Sequence, residues 1–136
     1  MKTTIDYARS IGAVIGGYLV MMAAGVIPQF IARKIFHPAP EIDNSSYLMT
    51  MVVLNSLTGM LGGYMAAVIA GAYRLAHAAV LAGIVGGISV VIMLVMPRVF
   101  PQAPTLPGWY SWSVGIFVPM GILIGGWLRS RKQLPS

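Results

Sequence analysis

Four long apolar runs, almost free of charge, are the feature that most constrains how this chain can fold. Positions 10–32 and 47–73 carry no charge. Positions 75–97 hold one histidine, and positions 109–128 end just before Arg129. A helix needs about 20 apolar residues to cross a bilayer core, and lipid admits only helices or closed barrels. Because the runs are continuous rather than alternating, a barrel is disfavoured. The sequence predicts an all-α, integral membrane four-helix bundle, a single transmembrane domain (1–136) with spans at about 10–32, 47–73, 75–97 and 109–128.

Composition supports the membrane class and argues against a nucleic-acid partner. Charged residues make up 9% of the chain, whereas soluble domains have about 25%. The net charge of +6 comes from nine cations, which stand singly or in twos and threes at the ends of apolar runs. That placement is typical of membrane anchoring. The absence of cysteine excludes disulfides and thiolate chemistry. The first run is too long for a signal-peptide core and is expected to be an uncleaved span.

The distribution of cations predicts the orientation of the bundle. An even number of spans places both termini on one side, and that side carries six cations, against three on the other. The positive-inside bias therefore predicts cytoplasmic termini, with Trp109, Tyr110 and Trp112 forming an aromatic belt at the outer interface. The first group of cations is Lys2, Arg9, Arg74, Arg129, Arg131 and Lys132, and the second is Arg33, Lys34 and Arg98.

The connections between the spans differ in character. Positions 33–46 form a proline-containing loop, at whose end Asp43, Asn44 or Ser45 could cap the second helix. Positions 73–77 are expected to make a tight helical hairpin between spans two and three. A proline-rich stretch, 97–107, precedes span four.

Every span contains a Gly-x-x-x-Gly step that overlaps a Gly-Gly pair. Because hydrophobicity does not drive helices together in lipid, small residues four apart are the expected packing faces. Counted from the nearest cytoplasmic arginine at ~1.5 Å per residue, the steps of spans one and four lie ~5–12 Å deep and those of spans two and three ~14–22 Å deep. Matched depths predict that span one packs on span four and span two on span three. The predicted helix-packing residues are Gly12, Gly16, Gly17, Gly59, Gly62, Gly63, Gly83, Gly86, Gly87, Gly121, Gly125 and Gly126.

Spans one and two echo each other at a displacement of 46 residues. Positions 11–18, Ile-Gly-Ala-Val-Ile-Gly-Gly-Tyr, align with positions 57–64, Leu-Thr-Gly-Met-Leu-Gly-Gly-Tyr. The two spans run in opposite directions, so a true repeat would be inverted, as is common in transporters. Convergence of two small-residue packing faces is the alternative.

The sequence offers few groups for chemistry inside the membrane. Its only acids, Asp6, Glu41 and Asp43, are all expected outside the hydrocarbon, which weakens proton-coupled transport and acid–base catalysis. His37 and His77 fall on opposite sides and cannot share a haem. His37, Glu41 and Asp43 share a loop but lack a recognised ligand spacing. We therefore predict no catalytic residue, metal site or cofactor.

A few polar residues remain as candidates. Asn55 shares a helix face with the span-two glycines and could bond across to another helix or line a small cavity; Ser89 is similar. Arg74 and His77, three apart, could bind a lipid phosphate, or could simply be an interfacial arginine and histidine. Pro28 and Pro119 could kink their helices or be ordinary membrane prolines.

Three stretches carry a resemblance to a known group. Positions 61–67 (Leu-Gly-Gly-Tyr-Met-Ala-Ala), 77–83 (His-Ala-Ala-Val-Leu-Ala-Gly) and 125–128 (Gly-Gly-Trp-Leu) resemble small uncharacterised bacterial four-span proteins. The resemblance implies the bacterial inner membrane and brings no known activity. The paired motifs of fluoride channels, the membrane glutamate of small multidrug carriers and the arginine-rich signature of membrane glutathione transferases are missing.

Two classes of function follow from this pattern. The first is a non-catalytic accessory, assembly or interaction subunit, which packs through its Gly-x-x-x-Gly faces as a homo-oligomer or within a larger membrane complex. The alternative is a small oligomeric channel or carrier for a small solute. The bilayer is the expected partner in both.

Overall fold

The computed structural model describes residues 4–36, 44–102 and 106–131, whose regular structure is four α-helices. Each helix is long and apolar enough to cross a membrane. The predicted all-α four-helix architecture of a multi-pass membrane protein is therefore confirmed. The helices are α1 (Thr4–Ile35), α2 (Ser45–Ala70), α3 (Arg74–Val99) and α4 (Gly108–Arg131).

The loop before α2 and the turn after it show how local chemistry sets the helix bounds. Asn44 caps α2, because its side-chain oxygen accepts a hydrogen bond from the Tyr47 backbone N–H at 3.1 Å. One of the three predicted caps is thus confirmed. The hairpin between α2 and α3 lies at 71–73 rather than at the predicted 73–77. Gly71 stops α2 early, because it adopts φ 71° and ψ −62°, a conformation that favours glycine.

We define two sides of the bundle. The terminal side is where α1 and α3 begin and α2 and α4 end, and the loop side is the opposite one. α2 is the central helix: it packs extensively on α4 and on α1, and less on α3. α3 packs mainly on α4, and no Cα atom of α1 lies within 8 Å of one of α4 in the described residues. The predicted pairing of span one with span four is therefore wrong, and α3 is not the main partner of α2.

The arginines at the ends of the helices do not mark a common depth, which is why the depth-matched pairs were predicted wrongly. Gly63 of α2 lies opposite Ile122 of α4, and the two helices run parallel. The same offset places Ala70 level with Arg129. Arg74, however, lies beyond the turn that follows α2. Arg129 therefore lies about one helical turn deeper in the bundle than Arg74.

The interior of the bundle is built from small side chains. Leu81 and Ile122 are the largest fully buried residues, and alanines supply much of the rest. Most large apolar side chains face outward, including Phe30 and Ile35 on α1. Outward apolar residues are expected where the surroundings are lipid tails.

Candidate functional site

α2 and α4 touch backbone to backbone through both of their glycine steps. At each of four glycines, an added Cβ would press on a carbonyl oxygen of the other helix. The pairs are Gly59 with Val118, Gly63 with Ile122, Gly121 with Ser56 and Gly125 with Met60. Residue numbers rise together along the two helices in these pairs, so α2 and α4 are parallel. Such an approach also allows weak Cα–H···O contacts between helices. We call this contact the α2–α4 seam.

α1 joins α2 through a second, antiparallel contact, the α1–α2 seam. A Cβ on Gly17 would lie 2.7 Å from the Gly62 carbonyl oxygen, and a Cβ on Gly62 would lie 2.9 Å from the Gly17 carbonyl oxygen. The contact is therefore reciprocal. Leu81 of α3 also reaches Gly17, with its Cδ2 3.0 Å from the same position. Sequence analysis named Gly17 and Gly62 but did not pair them.

The contacts of the helices with their neighbours explain why glycines occur in adjacent pairs. Consecutive residues point about 100° apart around a helix, so adjacent glycines open two faces. On α2, Gly62 meets α1 while Gly63 meets α4. On α4, Gly125 meets α2 while Gly126 meets Ala78 of α3. Each pair thus lets one helix pack closely against two neighbours.

Three of the predicted packing glycines make no such contact. A Cβ on Gly12, Gly83 or Gly87 would meet nothing within 4 Å, and all three are exposed. The expectation that every step packs between the helices of one chain is therefore wrong for α3 and half right for α1. Gly86 does face Pro119, with 3.4 Å from its Cβ position to the proline Cγ. The physical reason is that α3 turns Gly86, and not the Gly83–Gly87 step, toward α4.

A cavity of about 470 Å³ lies in the loop-side half of the bundle. All four helices contribute to its walls, which are formed by residues from the middle and the loop-side half of each helix. The seams close the opposite half. Its polar lining comes from Gln29, Asn55, Thr58, Ser89 and Tyr110. We call it the loop-side cavity.

The polar side chains of the cavity bond within their own helices. The Asn55 amide donates to the Met51 carbonyl at 2.7 Å, and the Ser89 hydroxyl donates to the Val85 carbonyl at 2.8 Å. The predicted bond from Asn55 to another helix is therefore absent from the described residues, because the carbonyl one turn back satisfies the amide first. The second predicted role, lining a cavity, matches where both residues lie.

Two cavity residues were missed as site candidates by sequence analysis. Gln29 is the single amide in the first apolar run, and that isolation was the available signal. Tyr110 was assigned to an aromatic belt, but it is half-buried and lines the cavity. Trp109 and Trp112 remain exposed, and the Trp109 ring meets Tyr110 edge-on at 6.1 Å between centroids.

The terminal side carries arginines that bond to the α2–α3 turn. Arg74 Nε donates to the Gly71 carbonyl and Arg9 Nε to the Ile69 carbonyl, each at 2.9 Å. The His77 ring lies 2.9 Å from the Tyr73 carbonyl. Arg74, but not His77, lines a shallow terminal-side opening. Binding of a lipid phosphate by Arg74 and His77 stays a prediction.

Metal ligands are scarce in the described part of the chain. Residues 4–36, 44–102 and 106–131 contain no group of three or more histidines and acids that could hold a metal ion. His37, Glu41 and Asp43 lie outside the described residues. Comparison of the chain with family models, with curated proteins and with solved structures found no match.

Proposed function

We propose that the chain is a non-catalytic assembly or interaction subunit of the bacterial inner membrane, with both termini in the cytoplasm. It associates with a second copy, or with a helix of a larger complex, through the outward face of α3. The observation that carries this proposal is the position of Gly83 and Gly87, which face outward with nothing within 4 Å of either Cβ position. The scarcity of ionisable groups supports a role without catalysis.

The outward face of α3 has the spacing of a helix-docking groove. Ala79, Gly83 and Gly87 follow one another at four-residue intervals and are all exposed. Ile84 and Ile88 stand beside them with 44% and 43% of their surfaces exposed. Such a groove between branched side chains lets a second backbone approach closely, which is the main source of attraction between helices in lipid. The steps of α2 and α4 are already used inside the chain.

The test is association of the full chain in bilayers. Gly83→Ile with Gly87→Ile should weaken self-association, measured by energy transfer between labelled copies, at least tenfold. Gly12→Ile is the matched control, since it also adds a side chain to an exposed glycine with nothing within 4 Å. A protein that is monomeric and retains no partner after gentle extraction and crosslinking would contradict the proposal.

The loop-side cavity favours a second candidate, a small oligomeric channel or carrier. The cavity lies on one side while the glycine seams close the other, as expected for one state of a carrier that alternates its access. Flux of small polar solutes into proteoliposomes should then fall with Asn55→Ala and persist with Ser56→Ala, which lies outside the cavity. No flux for a broad solute panel, or flux unchanged by Asn55→Ala, would remove this candidate.

A further inference from the structure

The size and position of the loop-side cavity suit a bound small molecule. Its volume of about 470 Å³ falls within the roughly 300–1,000 Å³ of small-molecule pockets. Such pockets typically have apolar walls and a few polar groups, and they occur between the helices of bundles. Here valines and methionines form most of the wall, and the polar groups come from all four helices. These features match those of small-molecule sites between helices.

The hydrogen-bonding groups define the head of the ligand. The hydroxyl protons of Ser89 and Thr58 are donated to the carbonyls of Val85 and Asn55, each at 2.8 Å. Because a hydroxyl has one proton and two lone pairs, these two oxygens can only accept further bonds. The Asn55 side-chain oxygen accepts no bond from the described residues. These three oxygens can each accept a hydrogen bond from a ligand that donates one.

The walls define the rest of the ligand. None of the described lining residues is charged, so an ion would lose its hydration without compensation. Met21, Met22 and Met51 lie among the lining residues, and their flexible thioethers adapt to irregular apolar shapes. An uncharged molecule with an apolar body fits these walls.

The route into the cavity is lateral. α1 and α4 both line the cavity, but no Cα atom of α1 lies within 8 Å of one of α4 in the described residues. Met22 and Val26, on the α1 wall, have 54% and 53% of their surfaces exposed. The cavity is therefore open beside α1, toward the lipid tails. A molecule dissolved in the bilayer can enter without crossing the aqueous interface.

We infer that the loop-side cavity binds an uncharged amphiphile, with an apolar chain and a hydroxyl head that donates a hydrogen bond to Ser89 or Asn55. This inference goes beyond both proposed functions, because it needs neither association of α3 nor movement of the ligand across the membrane. Loss of association or absence of flux would leave it standing.

The experiment uses the full chain in lipid nanodiscs and a diazirine-bearing octanol as the photoreactive probe. Adducts mapped by mass spectrometry should concentrate on cavity residues such as Met21, Met51 and Tyr110. Excess 1-octanol should reduce this labelling at least threefold. Octyl methyl ether, which has a similar chain but no donor, should compete much less. Equal competition by the ether would overturn the assignment of a hydrogen-bonding head.

Two pairs of variants separate specific binding from partition into lipid. Ser89→Ala removes a cavity acceptor, whereas Ser56→Ala removes a hydroxyl with the same own-helix bond outside the cavity; only the first should reduce labelling. Gly25→Leu should block the cavity, because Gly25 lines it and has nothing within 4 Å of its Cβ position. Gly115→Leu, equally unobstructed but outside the lining, is its control. Labelling spread evenly over lipid-facing residues, and unchanged by Gly25→Leu, would overturn the inference.

Discussion

At the scale of single residues, two glycines carry different constraints. Gly63 is constrained by space, because its Cβ position overlaps the Ile122 carbonyl. Gly71 is constrained by backbone conformation. Its φ of 71° and ψ of −62°, with the Ala72 N–H donating to the Ala70 carbonyl at 2.8 Å, make a γ-turn of the rare, positive-φ type. Both positions require glycine, but for separable reasons.

The spatial constraint predicts opposite outcomes for two alanine substitutions. Gly63→Ala should lower the free energy of unfolding by about 2 kcal/mol, because overpacking against a backbone forces helices apart. Gly12→Ala should leave it unchanged or raise it by up to about 1 kcal/mol, since alanine is the better helix former and nothing lies within 4 Å. Unfolding in mixed micelles measures both. Equal effects would show that the α2–α4 seam is not tight.

The conformational constraint makes its own prediction at the hairpin. Gly71→Ala should destabilise the protein by about 1–3 kcal/mol, because a residue with a Cβ is strained in this turn. The Arg9 guanidinium also occupies the space where the Cβ would go. Gly108→Ala, at the start of α4 and with nothing within 4 Å, should have little effect. The prediction is tested by measuring the thermal unfolding midpoints of the two variants in one detergent. Equal midpoints would contradict it.

At the scale of elements, α1 is the least integrated helix. It contacts α2, and α3 to a lesser extent, but not α4 in the described residues. Its attachment depends on the α1–α2 seam and on the bond from Arg9 to the Ile69 carbonyl. At the loop side, the Phe36 ring meets Tyr47 edge-on at 5.6 Å between centroids. A helix that packs mainly on one neighbour, and buries the smallest share of its apolar stretch, is expected to open at a lower free energy than the rest of the bundle.

The accessibility of Leu81, which is fully buried beneath α1, tests this attachment. The chain has no cysteine, so Leu81→Cys introduces a unique thiol. Adding Gly17→Ile should speed its labelling by a small thiol reagent about tenfold, which corresponds to about 1.4 kcal/mol of easier opening. Gly12→Ile on the same helix should not. If both substitutions changed the rate equally, the attachment of α1 would not depend on the α1–α2 seam.

At the scale of the whole molecule, the bundle is closed on one side and open on the other. The seams join the helices toward the terminal side, whereas the cavity separates α1 from α4 toward the loop side. The cavity opens in the inner or the outer leaflet of the bilayer, depending on which side of the bundle faces the cytoplasm. The excess of cations on the terminal side predicts the outer leaflet.

Single cysteines test this orientation. Ser46 on the loop side and Ala76 on the terminal side are both exposed. With the protein expressed in the inner membrane of a Gram-negative host, and the outer membrane permeabilised, a membrane-impermeant maleimide should label Ser46→Cys. It should label Ala76→Cys only after the inner membrane is broken. The reverse pattern would place the termini outside.

Some features were predictable because they depend on neighbours in the chain. Apolar run length predicted four helices, and the Asn44 cap followed from residue type just before an apolar run. The hairpin was misplaced by a few residues because the uncharged run continues past Gly71 to Tyr73, and run length alone does not show where the helix ends. Asn55 was predicted to bond to another helix or to line a cavity. Its amide donates to the Met51 carbonyl of its own helix, which excludes the bond between helices through that donor.

The order of residues was enough to predict four helices long and apolar enough to cross a membrane, and glycines as places where helices can pack closely. Both follow from local properties: the length of an apolar run and the absence of a Cβ. The pairing of the helices, the contact of Gly63 with Ile122, the outward position of Gly83 and the place of the cavity became clear only from the folded bundle. The reason is that a glycine step makes a helix face approachable but carries no information about which neighbour approaches it.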